Sequence, residues 1–223
     1  MDPNVAHIFP YSMLNKTANP SRLRYIAQSG FWGLLKVFWD RNQVDKWRNK
    51  IFPDPQHPNT GVESCFNLIC LAGSAHKHWN NGRFALKPLK LSDDGKKLTV
   101  QFFWQPQYDH QLYDRVDLLK EPLSSKGLTL VKKDEKRCFL TRLSEDQSTR
   151  KIESGDIFTL TTDDPGSRPL PSLELLEMQW ILQRITAMSG AAGTPELDLN
   201  DDDDNNGDIR SYSDRVYKWI QRP

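Results

Sequence analysis

Cysteine is scarce in this chain. There are three, Cys65, Cys70 and Cys138, an odd number with no CxxC pair. That excludes a disulfide framework and a cysteine-rich zinc site as the main stabiliser and makes a reducing compartment the default. Long apolar runs are also lacking: no window approaches about eighteen uninterrupted apolar residues. A transmembrane helix and a membrane partner are therefore not expected. The opening MDPNVAHIFP has neither the basic stretch nor the apolar core of a secretory signal. The expectation is an intracellular protein, in the nucleus or cytoplasm, and not a secreted one. No internal repeat of about 20–50 residues is visible, which removes solenoids and propellers.

What is present is packing material. The chain has 223 residues, 37% of them hydrophobic and 10% aromatic, with seven Trp. This excludes a wholly disordered chain and suffices for a buried core. The net charge of +1 hides an asymmetry. Residues 1–90 hold 12 Lys+Arg against 5 Asp+Glu, and the rest hold 18 against 24. A basic first part and an acidic second part point to an anionic partner for the first.

The patterning predicts a short strand over 5–11, broken at Pro10, and helix over 21–52 capped by Ser21. Phe31, Leu35, Phe38 and Trp39 form one stripe there, continued by Val44, Trp47 and Ile51. Trp32, Trp39 and Trp47 read as core and not as a base-stacking platform, which would need them exposed beside a basic groove. PDPQHPNTG over 53–61 is a loop, FNLICL over 66–71 a strand, and AGSAHKHWNNG over 72–82 a short helix with Ser74 as N-cap and Gly82 as stop. LKLSDDGKKLTVQFFW reads as two strands joined at Asp94-Gly95, and 128–131, 137–143 and 156–162 as further strands. Ser172 caps an amphipathic helix over 173–188 that Gly190 ends. Residues 193–208 carry seven acidic side chains and few apolar ones, which predicts a disordered linker, with a final short helix in 209–223. The division expected is one domain over 1–192, the linker, and the terminal helix.

Among polar residues, AHIFP (6–10) and NLICLAGSAHKHW (67–79) stand out together. Taken singly, His7 reads as a structural histidine and Asn67 as a turn former. His76 and His78 differ by two and cannot share a helix face, whereas His76 and Asn80, four apart, do. His57 and His110 sit in polar loops, and the DDDD run at 201–204 lacks the spacing and glycine of a calcium loop. As a set, strand–His, long insert, Asn–strand–helix–His is informative. It sets His7 on one strand, Asn67 at the start of its partner and His76 on the next helix. Such an arrangement can present a base and a metal ligand to a phosphodiester.

The residues Ala6-His7-Ile8-Phe9-Pro10, Phe31-Trp32-Gly33-Leu34-Leu35 and Asn67-Leu68-Ile69-Cys70-Leu71, with His76 nine after Asn67, resemble the HNH nuclease family in its fungal-type branch. Trp79 and Arg83-Phe84-Ala85-Leu86-Lys87-Pro88 continue the resemblance, which is read on through Gly155-Asp156-Ile157-Phe158 to Pro169-Leu170-Pro171. The resemblance implies an α+β fold: a ββα-metal finger core, a helical insert, a β-rich extension and a C-terminal amphipathic helix. It implies a metal-dependent endonuclease hydrolysing phosphodiester bonds in DNA, with RNA the other candidate substrate. His7 matches the general base, Asn67 the residue bracing the base-bearing loop, and His76 a metal ligand, with Asn80 where some members have another. The metal implied is Mg²⁺, or Mn²⁺ in its place. Lys77, Arg83, Lys87 and Lys90 follow the ligands closely and are the candidates for phosphate contacts. Three departures stand against the pattern: Ala6 replaces the acid or second His that precedes the base in many active members, the insert between His7 and Asn67 is long, and six residues precede His7, so the first strand is expected to be incomplete. The second reading is therefore a catalytically inactive HNH scaffold serving as a nucleic-acid-binding or interaction module.

Overall fold

The structure is a computed structural model that describes residues 3–9, 30–54, 57, 59–106, 114–115, 117, 119–121, 140–143 and 148–190. The proposed Ser21 cap, Pro10 break, strand at 128–131, His110, acidic linker and terminal helix lie outside these residues. The fold mixes helix and strand. Strand β1 (Pro3–His7) pairs antiparallel with β2 (Leu68–Ala72), His7 opposite Leu68 and Ala6 opposite Ile69. Side chains alternate across such a ribbon. Ala6 and Ile69 accordingly face the core at 0% and 5% exposure, and His7 lies on the other face.

Between the two strands come helices α1 (Phe31–Phe38), α2 (Arg41–Ile51) and the single turn α3 (Asn59–Val62). The break between α1 and α2 is made by Asp40, whose carboxylate accepts from the backbone N–H groups of Asn42 and Gln43 at 2.9 and 3.2 Å. The single stripe expected across 31–39 is thereby corrected. Trp39 turns extended after only eight helical residues, Trp32 and Leu35 carry the buried face of α1, and Phe38 is 68% exposed. On α2, Val44, Trp47 and Ile51 are buried at the expected spacing. Lys36 and Asp45 pair at 2.6 Å across the two helices.

A short 3-10 turn (Cys65–Asn67) leads into β2, and α4 (Gly73–Asn80) follows it directly. The helix begins two residues earlier than a Ser74 cap implies, with Ala72 at the cap position and no side-chain cap. Its end is as expected. Gly82 takes φ 62°, its N–H bonds to the Trp79 carbonyl at 3.1 Å, and the Arg83 N–H reaches back to His78 at 2.9 Å. This paired closure needs a left-handed residue, hence glycine.

The chain then enters an antiparallel sheet of β3 (Phe84–Leu91), β4 (Lys97–Trp104) and β7 (Ile157–Thr161), in the order β3-β4-β7, with Asp94-Gly95 in the tight connection. A small hairpin, β5 (Thr141–Leu143) with β6 (Thr149–Lys151), lies between β4 and β7 in sequence. Helix α5 (Leu173–Met188) opens at Ser172, whose Oγ accepts from Leu175 N–H at 3.4 Å. It lays Leu175, Leu176 and Met178 against a core that includes Phe84, Leu98, Val100 and Phe102. Glu174 in its first turn is pushed up by partial burial. The Ser172 hydroxyl and the charges of Lys50 and Lys46 outweigh this and leave its carboxyl below the ordinary range.

One glycine is set by close approach. A Cβ on Gly61 would run into the carbonyl oxygen of Ile51, where α3 crosses the end of α2. Gly61→Ala is expected to destabilise the fold by about 1–3 kcal/mol, the usual cost of overpacking. Urea unfolding checks this, and an unchanged midpoint would contradict the crossing.

Candidate active site

The site is built around Asn67. Its side chain is fully buried and makes three bonds: Oδ1 accepts from Phe9 N–H at 2.8 Å, and Nδ2 donates to the carbonyls of Val62 at 2.9 Å and Phe9 at 3.2 Å. Its backbone carbonyl accepts from Ile8 N–H at 2.8 Å. The residues directly after His7 are thus fixed by one amide, 58 positions away in sequence. Phe9 is fixed a second time by packing: its ring stacks on Trp32 at 5.8 Å and meets Phe52 edge-on at 5.8 Å. The helical insert therefore supplies the wall behind the segment that carries His7.

Helix α4 is tied to the same segment. Trp79, buried on its inner face, donates from Nε1 to the backbone carbonyl of His7 at 3.1 Å. The Trp79 carbonyl in turn accepts from Gln183 Nε2 on α5 at 2.9 Å. His76 stands one turn before Trp79, half-buried, and Asn80 one turn after His76, exposed. His7, Asn67 and the helix bearing His76 and Asn80 are brought together by these bonds.

The basic candidates distribute differently. Lys77 is exposed on α4, Arg83 is half-buried at the start of β3, and Lys87 is exposed on that strand. Lys90 is exposed but lies six residues along β3 from Phe84, about 20 Å at ~3.3 Å per residue. His78, off the helix face of His76, is half-buried, its ring edge-on to Trp104 at 5.8 Å.

Three neighbours were not picked out as site residues from sequence. Glu63 places Oε1 3.6 Å from His7 Nε2. It sits in a turn with no periodicity to flag it. Trp79 and Gln183 act through backbone carbonyls. The available signal was Gln179 and Gln183, polar residues four apart on the buried face of α5.

A divalent cation would meet His76 and Asn80, two neutral donors on one helix face. Among the described residues no group of three or more His, Cys, Asp and Glu converges as a metal cage. This donor set suits a largely hydrated ion completed by water and phosphate oxygens, as Mg²⁺ prefers, and not a closed site.

Residues 1–87 match the family model described as HNH endonuclease, so this segment is similar to that family. The match ends within β3, so the resemblance read on toward Pro171 lies beyond it. The family associates the segment with nuclease-type chemistry and nucleic-acid binding. Neither curated proteins nor solved structures give a match. No helix among the described residues is long and apolar enough to cross a membrane.

Losing the Asn67 carboxamide would leave one buried N–H and two buried carbonyls short of partners, at about 1–3 kcal/mol each. Asn67→Ala is expected to destabilise the protein by on the order of 3 kcal/mol or more. Asn67→Asp should be no better, since it loses the donor and buries charge. Chemical denaturation measures both; a cost under about 1 kcal/mol for Asn67→Ala would show that the clamp is dispensable.

Proposed function

We propose that this chain is a metal-dependent HNH endonuclease that hydrolyses phosphodiester bonds in DNA, with β1, β2 and α4 as its ββα-metal finger. The observation that carries this reading is the Asn67 clamp. A fully buried amide makes three bonds to Phe9 and Val62, beside His7, while Trp79 hooks the His76 helix to the His7 carbonyl. Nothing in packing alone requires a polar side chain there, whereas a base held rigidly does.

In this reading His7, partly exposed, takes a proton from water as its oxygen attacks phosphorus; the ester P–O bond breaks with its electron pair on the leaving oxygen. Asn67 keeps the base-bearing segment from moving during the transfer. His76 and Asn80 would hold Mg²⁺ or Mn²⁺, which would supply polarisation of the phosphate and charge stabilisation for the leaving oxygen. Lys77, Arg83 and Lys87 hold flanking phosphates, with Lys90 reaching a more distant one. The helical insert and α5 support this finger from two sides.

One observation favours the second reading, an inactive HNH scaffold that binds nucleic acid. Ala6 is fully buried opposite Ile69, so the position before the base faces the core and offers no ligand.

Cleavage of supercoiled and linear DNA, single-stranded DNA and RNA with Mg²⁺ or Mn²⁺ separates the two readings. His7→Ala should lower the rate about 10²–10⁴-fold without loss of folding. Full activity in His7→Ala would remove His7 as the base, and a wild type inert on every substrate would leave the scaffold reading.

Metal and DNA should bind with positive coupling, because each completes the other's coordination or charge balance. In a His7→Ala background, Mg²⁺ alone is expected to raise the melting temperature little. Mg²⁺ with DNA should raise it beyond DNA alone, and His76→Ala should abolish that gain. Tight metal binding without DNA that survives His76→Ala would place the ion elsewhere.

A further inference from the structure

We propose that the outer face of α1 is a docking surface for the last segment of this same chain, 209–223, which lies on it as an amphipathic helix. The proposal does not depend on the nuclease reading. Helix α1 is apolar nearly all round, with Lys36 its one charged residue. Trp32 and Leu35 face the core. Leu34, Val37 and Phe38, at 59%, 74% and 68% exposure, form a second stripe at i, i+3 and i+4 on the outer side. A helix apolar on both sides is normally covered on both. Gly33 lies on the outer side too, one turn before Val37. A Cβ there would meet no atom within 4 Å. Glycine inside a helix costs stability relative to alanine, and nothing among the described residues requires it. Its bare backbone leaves a hollow beside Leu34 and Val37, where a large side chain can rest directly on the helix.

Area, sequence and reach choose the occupant. The three side chains together expose a few hundred Å². That is well short of the ~800 Å² per partner buried in a stable complex of two separate chains. A tethered segment needs less, because its encounter is intramolecular and its effective concentration high. The chain also has apolar side chains left to bury. It runs on from Gly190 to Pro223, and after the acidic stretch come Ile209, Tyr212, Val216, Trp219 and Ile220, spaced as one helical stripe. Val216, Trp219 and Ile220 repeat the i, i+3, i+4 spacing of Leu34, Val37 and Phe38. Trp219 is the large side chain suited to the hollow at Gly33. At ~3.3 Å per residue, the stretch 191–208 spans up to about 60 Å. That exceeds the width of a domain of this length, so the tether lets the segment reach α1.

The test uses the full chain. With Val37 replaced by the photo-crosslinker p-benzoylphenylalanine, irradiation should join position 37 to 209–223 of the same chain, as read by peptide mass spectrometry. Hydrogen exchange reports the contact without a probe. Amides of 213–221 should be protected in wild type and lose that protection about tenfold or more in Val37→Asp and in Trp219→Asp. Val37 is mostly exposed, so its replacement spares the core, and circular dichroism checks that the variants are folded. Gly33→Leu fills the hollow from the α1 side, favours the helix and meets nothing in the fold, yet it should release the segment to a similar extent. A cross-link between two chains would give the face to a second copy, and one to 10–29 would give it to that segment. Either result overturns the proposal. So do unprotected 213–221 amides in wild type, or protection that neither Val37→Asp nor Gly33→Leu reduces. None of these readouts uses DNA cleavage, so an inert protein would end the nuclease reading and leave this test unchanged.

Discussion

One carboxamide holds the site together. Asn67 lies at the junction of the 3-10 turn and β2, buried from solvent, and its three side-chain bonds reach backward to Val62 and across to Phe9. Buried polar groups are tolerated only when satisfied, and a fully satisfied one specifies a single arrangement, because any slip strands several partners at once. Closing a chain of nearly 60 residues costs about 3–4 kcal/mol of entropy. The β1–β2 pairing is too short to offset that alone, so the amide and the Phe9–Trp32–Phe52 ring cluster must act with it.

The clamp is supported by structure from within the family-matched segment and from beyond it. The helical insert supplies Trp32 and Phe52 beneath Phe9. The second part of the chain supplies α5. Its cap residue Ser172 donates its backbone N–H to the Phe66 carbonyl at 2.8 Å, next to Asn67, and Gln183 holds the carbonyl of Trp79. Residues well past position 87 thus bear on the backbone that carries His7 and the candidate ligands. A truncation at the edge of the family match would remove two of these bonds along with the sheet that receives α4.

The electrostatic setting matches an anionic partner without forming a metal cage. Lys77 and Lys87 are exposed near the end of α4 and on β3, in the basic part of the chain. The candidate metal donors are neutral, so ion and phosphate would each depend on the other for charge balance. Ala6 explains the shortage of donors physically. Strand alternation turns position 6 into the core whenever His7 faces outward, and a charged residue at 6 would have to be accommodated there.

Much was legible in the chain before any coordinates. Local rules determined the helix at 173–188 with its Ser172 cap and Gly190 stop, the Asp94-Gly95 connection, the Gly82 closure of α4, and the α2 stripe of Val44, Trp47 and Ile51. Each depends on residues a few positions apart, where spacing and backbone preference suffice. The order His7, Asn67, His76 likewise pointed to a strand pair and a following helix. The tertiary structure decided what spacing does not encode. It ended α1 at Phe38 because Asp40 caps a new helix, and turned His78 against Trp104. It also set Glu63 beside His7, Trp79 under its carbonyl and Gln183 behind Trp79. These are contacts between residues some 56 to 104 positions apart in sequence. Backbone carbonyls have no signature in a sequence, and a glutamate in an irregular turn has no period. Only the folded chain shows which side chains reach them.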